Sequence, residues 1–109
     1  MTEATETARA YYEALDAGDY DRFADLLASG VVHERPDRTI EGRDALVGFM
    51  RDDRPQMGTS HEVRDVYESG DGAAAEGRLR DADGNLLFEF ADAFEFEDGR
   101  IVRIRTYTR

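Results

Sequence analysis

The stretch LLFEFADAFEFED, residues 86–98, constrains the fold more than any other part of the chain. One parity reads Leu86, Phe88, Phe90, Asp92, Phe94 and Phe96; the other reads Leu87, Glu89, Ala91, Ala93, Glu95 and Glu97. Only an extended strand puts every second residue on one side, so the aromatic parity must face a covered interior and the acidic parity must face outward. A strand with one wet face belongs to an antiparallel sheet covered on the other face by something else, and helices are the candidate cover. Asp92 interrupts the wall of rings, where a carboxylate is costly unless it is paired, hydrogen-bonded or protonated. Three readings stay open: a pocket acid with a raised pKa, a structural acid held by a neighbouring Tyr or Arg, or a bulge that turns Asp92 outward.

The helices come first in the chain. Ala8, Tyr11, Tyr12 and Leu15 recur at helical spacing, which predicts a helix over 5–17 with Thr5 as its N-cap. Gly18 ends it, Asp19 caps a second helix over about 20–28, and Gly30 closes that one. Val31 to Arg35 read as a short strand stopped by Pro36, and a third helix runs from Gly42 and Arg43 to about Asp52. Arg54 to Thr59, with Pro55 and Gly58, reads as a loop. From His61 the period becomes two. A strand with Val63, Asp65 and Tyr67 on one side leads through the turn Gly70-Asp71-Gly72 into a strand from Ala73 to Arg80. After a turn at Ala82 to Asn85 comes the long patterned strand, then the Asp98-Gly99 turn and a last strand from Ile101 to Thr108. The order predicts one α+β domain over residues 1–109: a curved sheet, antiparallel or mixed, around three helices in the N-terminal half.

Charge narrows the partners. The chain carries 25 Asp and Glu against 14 basic residues, all of them arginine, for a formal net charge of -11. Such a field repels nucleic acid and acidic membranes. Dense carboxylate without lysine resembles proteins of salt-loving microbes such as halophilic archaea, whose surfaces stay hydrated while salt screens their repulsion. There is no cysteine, so thiolate chemistry and disulfides are excluded. No apolar run is long enough to span a bilayer and no leader pattern is seen, so a cytoplasmic location is expected.

Candidate chemistry centres on few residues. His33 and Arg35 share one side of their strand and Glu34 takes the other; facing inward, the pair would set an acid–base group beside a cation. Facing outward, they would be surface residues. Tyr11 lies on the apolar face of the first helix, where it is either a core tyrosine with one partner or a pocket donor. His61 opens its strand and is a second imidazole. Two histidines and a glutamate match no metal-ligand spacing, and no phosphate loop or dinucleotide fingerprint is present. No cofactor is called for.

Three stretches together, YYEALDAGDYDRFADLLASGVV, RTIEGRDALVGFM and FEFADAFEFEDGRIVRIR, resemble the NTF2-like superfamily, in particular its ketosteroid-isomerase-like and SnoaL-like branches. The resemblance covers nearly the whole chain. It implies a cone: a strongly bent sheet wrapped around helices with a pocket between them. It also implies an oxyanion hole of one tyrosine, falling on Tyr11, and one protonated aspartate, falling on Asp92. The isomerases' base would fall on Arg35, just before Pro36, and arginine cannot act as a base near neutral pH. Steroid-type double-bond migration is therefore not expected. Arg35 would instead pair with Asp92 or bind an anionic substrate; His33 becomes the expected base, with His61 in reserve.

The expected function is a small-molecule pocket, working as a cofactor-independent isomerase, cyclase or hydrolase through proton transfer and oxyanion stabilisation. The alternatives are a non-catalytic ligand-binding module and a structural dimerisation module of the same fold. Arg35, Phe49, Met50, Phe88, Phe90, Phe94 and Ile104 are the expected ligand wall, for a small apolar or weakly anionic organic molecule. A homodimer is expected through the convex sheet face, with Leu87, Ala91, Ala93, Ile101, Arg103, Arg105 and Tyr107, and arginines there meeting Glu89 and Glu95 across strands.

Overall fold

The structure, a computed structural model, describes residues 3–54, 57–70 and 72–109. Pro55 of the expected loop and Asp71 of the expected turn lie outside the described residues. Helix α1 (Glu3–Ala17) buries Ala8, Tyr11, Tyr12, Ala14 and Leu15 along one side, the face read from their spacing. It starts at Glu3, so Thr5 lies inside the helix and is not its cap. Helix α2 (Tyr20–Asp25) is capped by Asp19, whose side chain accepts from the Arg22 amide.

Helix α2 is shorter than its periodicity suggested, because Leu27 already belongs to strand β1 (Leu27–Glu34) and pairs with Ile101. Leu27 satisfies either pattern, being apolar at a helical spacing from Phe23 and at an even spacing from Val31. The sheet decides between them. Strand β2 (Thr39–Glu41), which the sequence did not announce, folds back on β1 at the edge. Helix α3 (Arg43–Gly48) is also shorter than expected, and its continuation is a π-helical turn, Phe49–Asp53, that buries Phe49 and Met50.

Strands β3 (Ser60–Ser69), β4 (Gly72–Arg80), β5 (Leu86–Glu97) and β6 (Arg100–Thr108) complete one mixed six-stranded sheet in the order β2-β1-β6-β5-β4-β3. Only β1 and β6 run parallel; the other pairs are antiparallel. Register slips between Val63 and Asp65, between Leu79 and Arg80, and between Glu95 and Phe96 insert bulges. A bulge bends its strand and sharpens its twist, so the sheet curls around α1 and leaves its concave face hollow.

The bulges also correct two readings of parity. Val63 and Val66, not Val63 and Tyr67, pack against the core, while Tyr67 is 53% exposed. Ile101 is fully buried with Ile104, not on the outer face. Arginines do meet the acidic parity on the outer face: Glu95 lies 3.3 Å from Arg105, Glu89 lies 3.0 Å from Arg109, and Arg103 bonds Glu34 across the parallel pair. No helix among the described residues is long and apolar enough to cross a membrane.

Candidate functional site

The hollow between α1 and the concave sheet face is a cavity of about 320 Å³. This is at the lower end of the range for small-molecule sites. Tyr11 and Leu15 of α1, Met50 and Arg54 from the π-helical segment, and Leu79, Phe88 and Phe90 of the sheet form its walls. His33, His61, Asp92 and Thr106 give it polar groups.

Asp92 faces inward, as the alternation requires, and is 6% exposed. Both of its oxygens are engaged: the Tyr12 hydroxyl donates to Oδ2 at 2.5 Å and the Thr106 hydroxyl donates to Oδ1 at 2.5 Å. Burial pushes this carboxyl above the usual carboxylate range, while the bonds from Thr106 and Tyr12, His61 when it carries a proton, and the positive field of Arg35 pull the other way. The expected direct pair with Arg35 does not form. Arg35 stands 4.0 Å from Asp37 and lays its guanidinium over the Phe49 ring at 4.9 Å, so it acts on Asp92 only at a distance.

The two adjacent tyrosines of α1 take different places. Tyr12, not Tyr11, bonds Asp92. Tyr11 packs edge-on to Tyr12 at 5.0 Å and to Phe94 at 5.3 Å, and lines the cavity. No hydrogen bond reaches its hydroxyl from the described residues. Burial, and then the nearby Asp92, raise its pKa, so this hydroxyl stays a neutral donor. Adjacent helical residues point about 100° apart, which lets one tyrosine fasten the acid and the other face the hollow.

His33 is buried, and its Nε2 sits 2.7 Å from the Thr106 hydroxyl. When Asp92 is ionised, Thr106 spends its one proton on it, so Nε2 is the protonated nitrogen and donates to Thr106. Nδ1 is then a bare lone pair, buried with no partner among the described residues. Burial first, and Arg35 second, lower the His33 pKa from 6.5 to about 3. That makes it a weak base at neutral pH.

The shift has a sign. The unfolded chain protonates His33 near 6.5 and the folded chain only near 3, so the stability tied to neutral His33 is full above pH 6.5 and drains away on acidification. Relative to His33→Gln, wild type loses about 2 kcal/mol between pH 7.5 and pH 5, as about 1.4 kcal/mol per pH unit below the unfolded value. Urea unfolding of both proteins at the two pH values measures it, and parallel losses would refute the buried neutral state.

His61 is better placed for proton transfer. Its Nδ1 lies 2.7 Å from Asp16 Oδ1, and its own amide donates to Asp16 Oδ2 at 2.9 Å. A carboxylate on Nδ1 fixes the proton there and leaves Nε2 as the lone pair. Tyr12 and Phe90 hold the ring at centroid distances of 5.1 and 5.5 Å. His33 and His61 line one cavity from β1 and β3, with β6, β5 and β4 between them in the sheet, rather than meeting as neighbours across it.

Of the expected ligand wall, Arg35, Met50, Phe88 and Phe90 line the cavity. Phe49, Phe94 and Ile104 do not. Phe49 is buried beneath the guanidinium groups of Arg35 and Arg38, Phe94 packs against Tyr11, Tyr12 and Phe96, and Ile104 is fully buried. Leu87 lines the cavity rather than the outer face, because the slip beside Leu79 and Arg80 falls on it. Thr106, Tyr12, Asp16 and Arg54 are the residues that sequence reasoning missed. Thr106 is directly opposite Asp92 only because of the slip between Glu95 and Phe96; the tight turn alone would have put Arg105 there. Asp16 and Arg54 carried no signal of their own.

Relatives share this architecture. The chain superposes on a Kribbella flavida protein provisionally described as a ketosteroid isomerase, with TM-score 0.85 and 24% identity over 98% of this chain and 78% of that one. An LEH-like epoxide hydrolase of M. tuberculosis gives TM-score 0.84 and 23% identity, covering 98% of this chain and 83% of that one. An NTF2-like protein of Mesorhizobium loti gives TM-score 0.83 and 26% identity, covering 98% and 91%. No curated protein matches the sequence significantly. The SnoaL-like domain family matches residues 8–104, nearly the full length and every element from α1 to β6, and the chain belongs to that family.

Proposed function

We propose that the cavity is the active site of a cofactor-independent enzyme that moves protons on a compact organic molecule. The observation that carries this reading is an imidazole fixed by Asp16 and a buried carboxyl, Asp92, lining one small apolar hollow. An imidazole with one nitrogen tied to a carboxylate and the other bare is the arrangement of a general base. His61 takes a proton from a carbon beside a carbonyl, or from water. The Tyr11 hydroxyl donates to the oxygen that gains charge, and the apolar walls keep that hydrogen bond undiluted by water. Protonated His61 supplies the return proton, while Asp92, which burial inclines to hold a proton, keeps it within its bond to Thr106. Thr106 links it to His33: when Asp92 is protonated on Oδ1, the threonine proton turns toward His33 Nε2 and the imidazole changes tautomer. Isomerisation, cyclisation and hydrolysis all use these parts, and relatives described as a ketosteroid isomerase and an epoxide hydrolase share the fold.

Proton exchange tests this without knowing the substrate. Small cyclic ketones incubated with the protein in D2O should lose their α-proton signals faster than in buffer, and styrene oxide should open to its diol if water is the nucleophile. Ketones and epoxide that bind but react at the buffer rate would leave a non-catalytic binding module of the same fold.

A further inference from the structure

Arg35 and Arg54 both line the cavity, and the Nε atom of each is buried with no hydrogen-bond partner among the described residues. A buried unpaired donor on a cation is costly to leave. The chain does not lack carboxylates to pair them with, since 25 Asp and Glu are present. Elsewhere its arginines take them closely, as Arg80 takes Glu62 at 2.9 Å and Arg109 takes Glu89 at 3.0 Å. Among the described residues, the carboxylate beside Arg35 is Asp37 at 4.0 Å, already held by Arg38 at 2.9 Å. The hydrogen bond of Arg54 among them is a long one, 3.4 Å to the Tyr20 hydroxyl. Both positive charges also act on the Tyr11 hydroxyl, opposing the rise that burial imposes on it.

We propose that Arg35 and Arg54 form an anion subsite and that the substrate of this cavity is a small organic carboxylate. A guanidinium offers paired donors that match a carboxylate's two oxygens, and such bonds are strongest where water is excluded. Phe49, beneath Arg35 at 4.9 Å, supports the cation from its other face. The apolar walls take the rest of the molecule, while Tyr11 stays with the reacting oxygen. The inference rests on the cavity being a substrate site, and it adds the chemical class.

Binding tests it apart from catalysis. Phenylacetate and its neutral analogue phenylacetamide are titrated into the 15N-labelled full chain at fixed ionic strength. The carboxylate should bind roughly tenfold more tightly or better. Arg35→Gln and Arg54→Gln should each remove most of that preference while leaving the affinity for the amide as it was, which also shows that the variants are folded. His61→Gln should keep the preference in full. Equal binding of the two probes, binding of neither, or a preference that survives in the double arginine variant would overturn the anion subsite. A preference that holds in a protein showing no proton exchange leaves the subsite standing and removes only the enzyme reading.

Discussion

If the proposed reaction holds, His61→Gln should lower turnover by about 10²- to 10⁴-fold, the usual range for removing a general acid or base, and leave KM nearly unchanged. Glutamine keeps the size of imidazole and a group that can donate to Asp16, so the wall of the cavity and the Tyr12 and Phe90 contacts are preserved. What it lacks is a nitrogen able to accept and release a proton. An equal loss in kcat and kcat/KM marks an interaction made only in the transition state. Asp16→Asn should lower kcat less than His61→Gln, because it removes the carboxylate that fixes the tautomer and not the base itself. Single-turnover kinetics on the best substrate of the exchange screen distinguishes the two. If His61→Gln retains wild-type turnover while His33→Gln abolishes it, the assignment of the base is reversed.

Gly77→Ala should destabilise the fold by about 2–4 kcal/mol, as overpacking against backbone does. A β-carbon at Gly77 would lie 2.2 Å from the Glu62 carbonyl oxygen and 3.0 Å from the Val63 Cα. The β3 backbone crowds β4 here because β3 slips register between Val63 and Asp65, directly opposite. Relief requires moving strand backbone, which no side-chain rotation can replace. The smaller entropy of unfolded alanine returns only about 0.4–1 kcal/mol. Gly48→Ala is the control: nothing lies within 4 Å of its β-carbon and its φ is -61°, so it should be neutral or slightly stabilising. Chemical denaturation of the two variants compares them directly, and equal midpoints would show that β3 does not crowd Gly77. Because β3 carries His61, Gly77→Ala should also depress activity in the protein that remains folded.

The architecture was largely legible because its signals are periodic and local. The Phe88, Phe90, Asp92, Phe94, Phe96 alternation survives in β5, and the Tyr11, Tyr12, Leu15 face is the buried face of α1. The errors collect where one extra residue enters a strand. Val66 and Ile101 are misplaced by parity because a bulge leaves no mark in a pattern of two, and its position depends on the partner strand. Leu27 fits a helix and a strand equally well, and pairing with Ile101 decides. The site was legible in part. Asp92 stands out because a charge in an apolar stripe is anomalous, and His33, His61 and Tyr11 were rare side chains near it. Their roles were not legible. Whether His33 or His61 keeps a usable lone pair depends on Thr106 and Asp16, residues 73 and 45 positions away in sequence.

The amino-acid order alone determined the α+β class, the inward carboxyl and the absence of thiol chemistry, because each follows from side-chain identity and short-range period. Only the tertiary structure decided which histidine is tied to a carboxylate, which tyrosine fastens Asp92, and that Arg35 and Arg54 stand with unmet donors beside an apolar hollow. These depend on distances between distant segments, and a protonation state is set by what burial and folding bring within about 4–6 Å of a group.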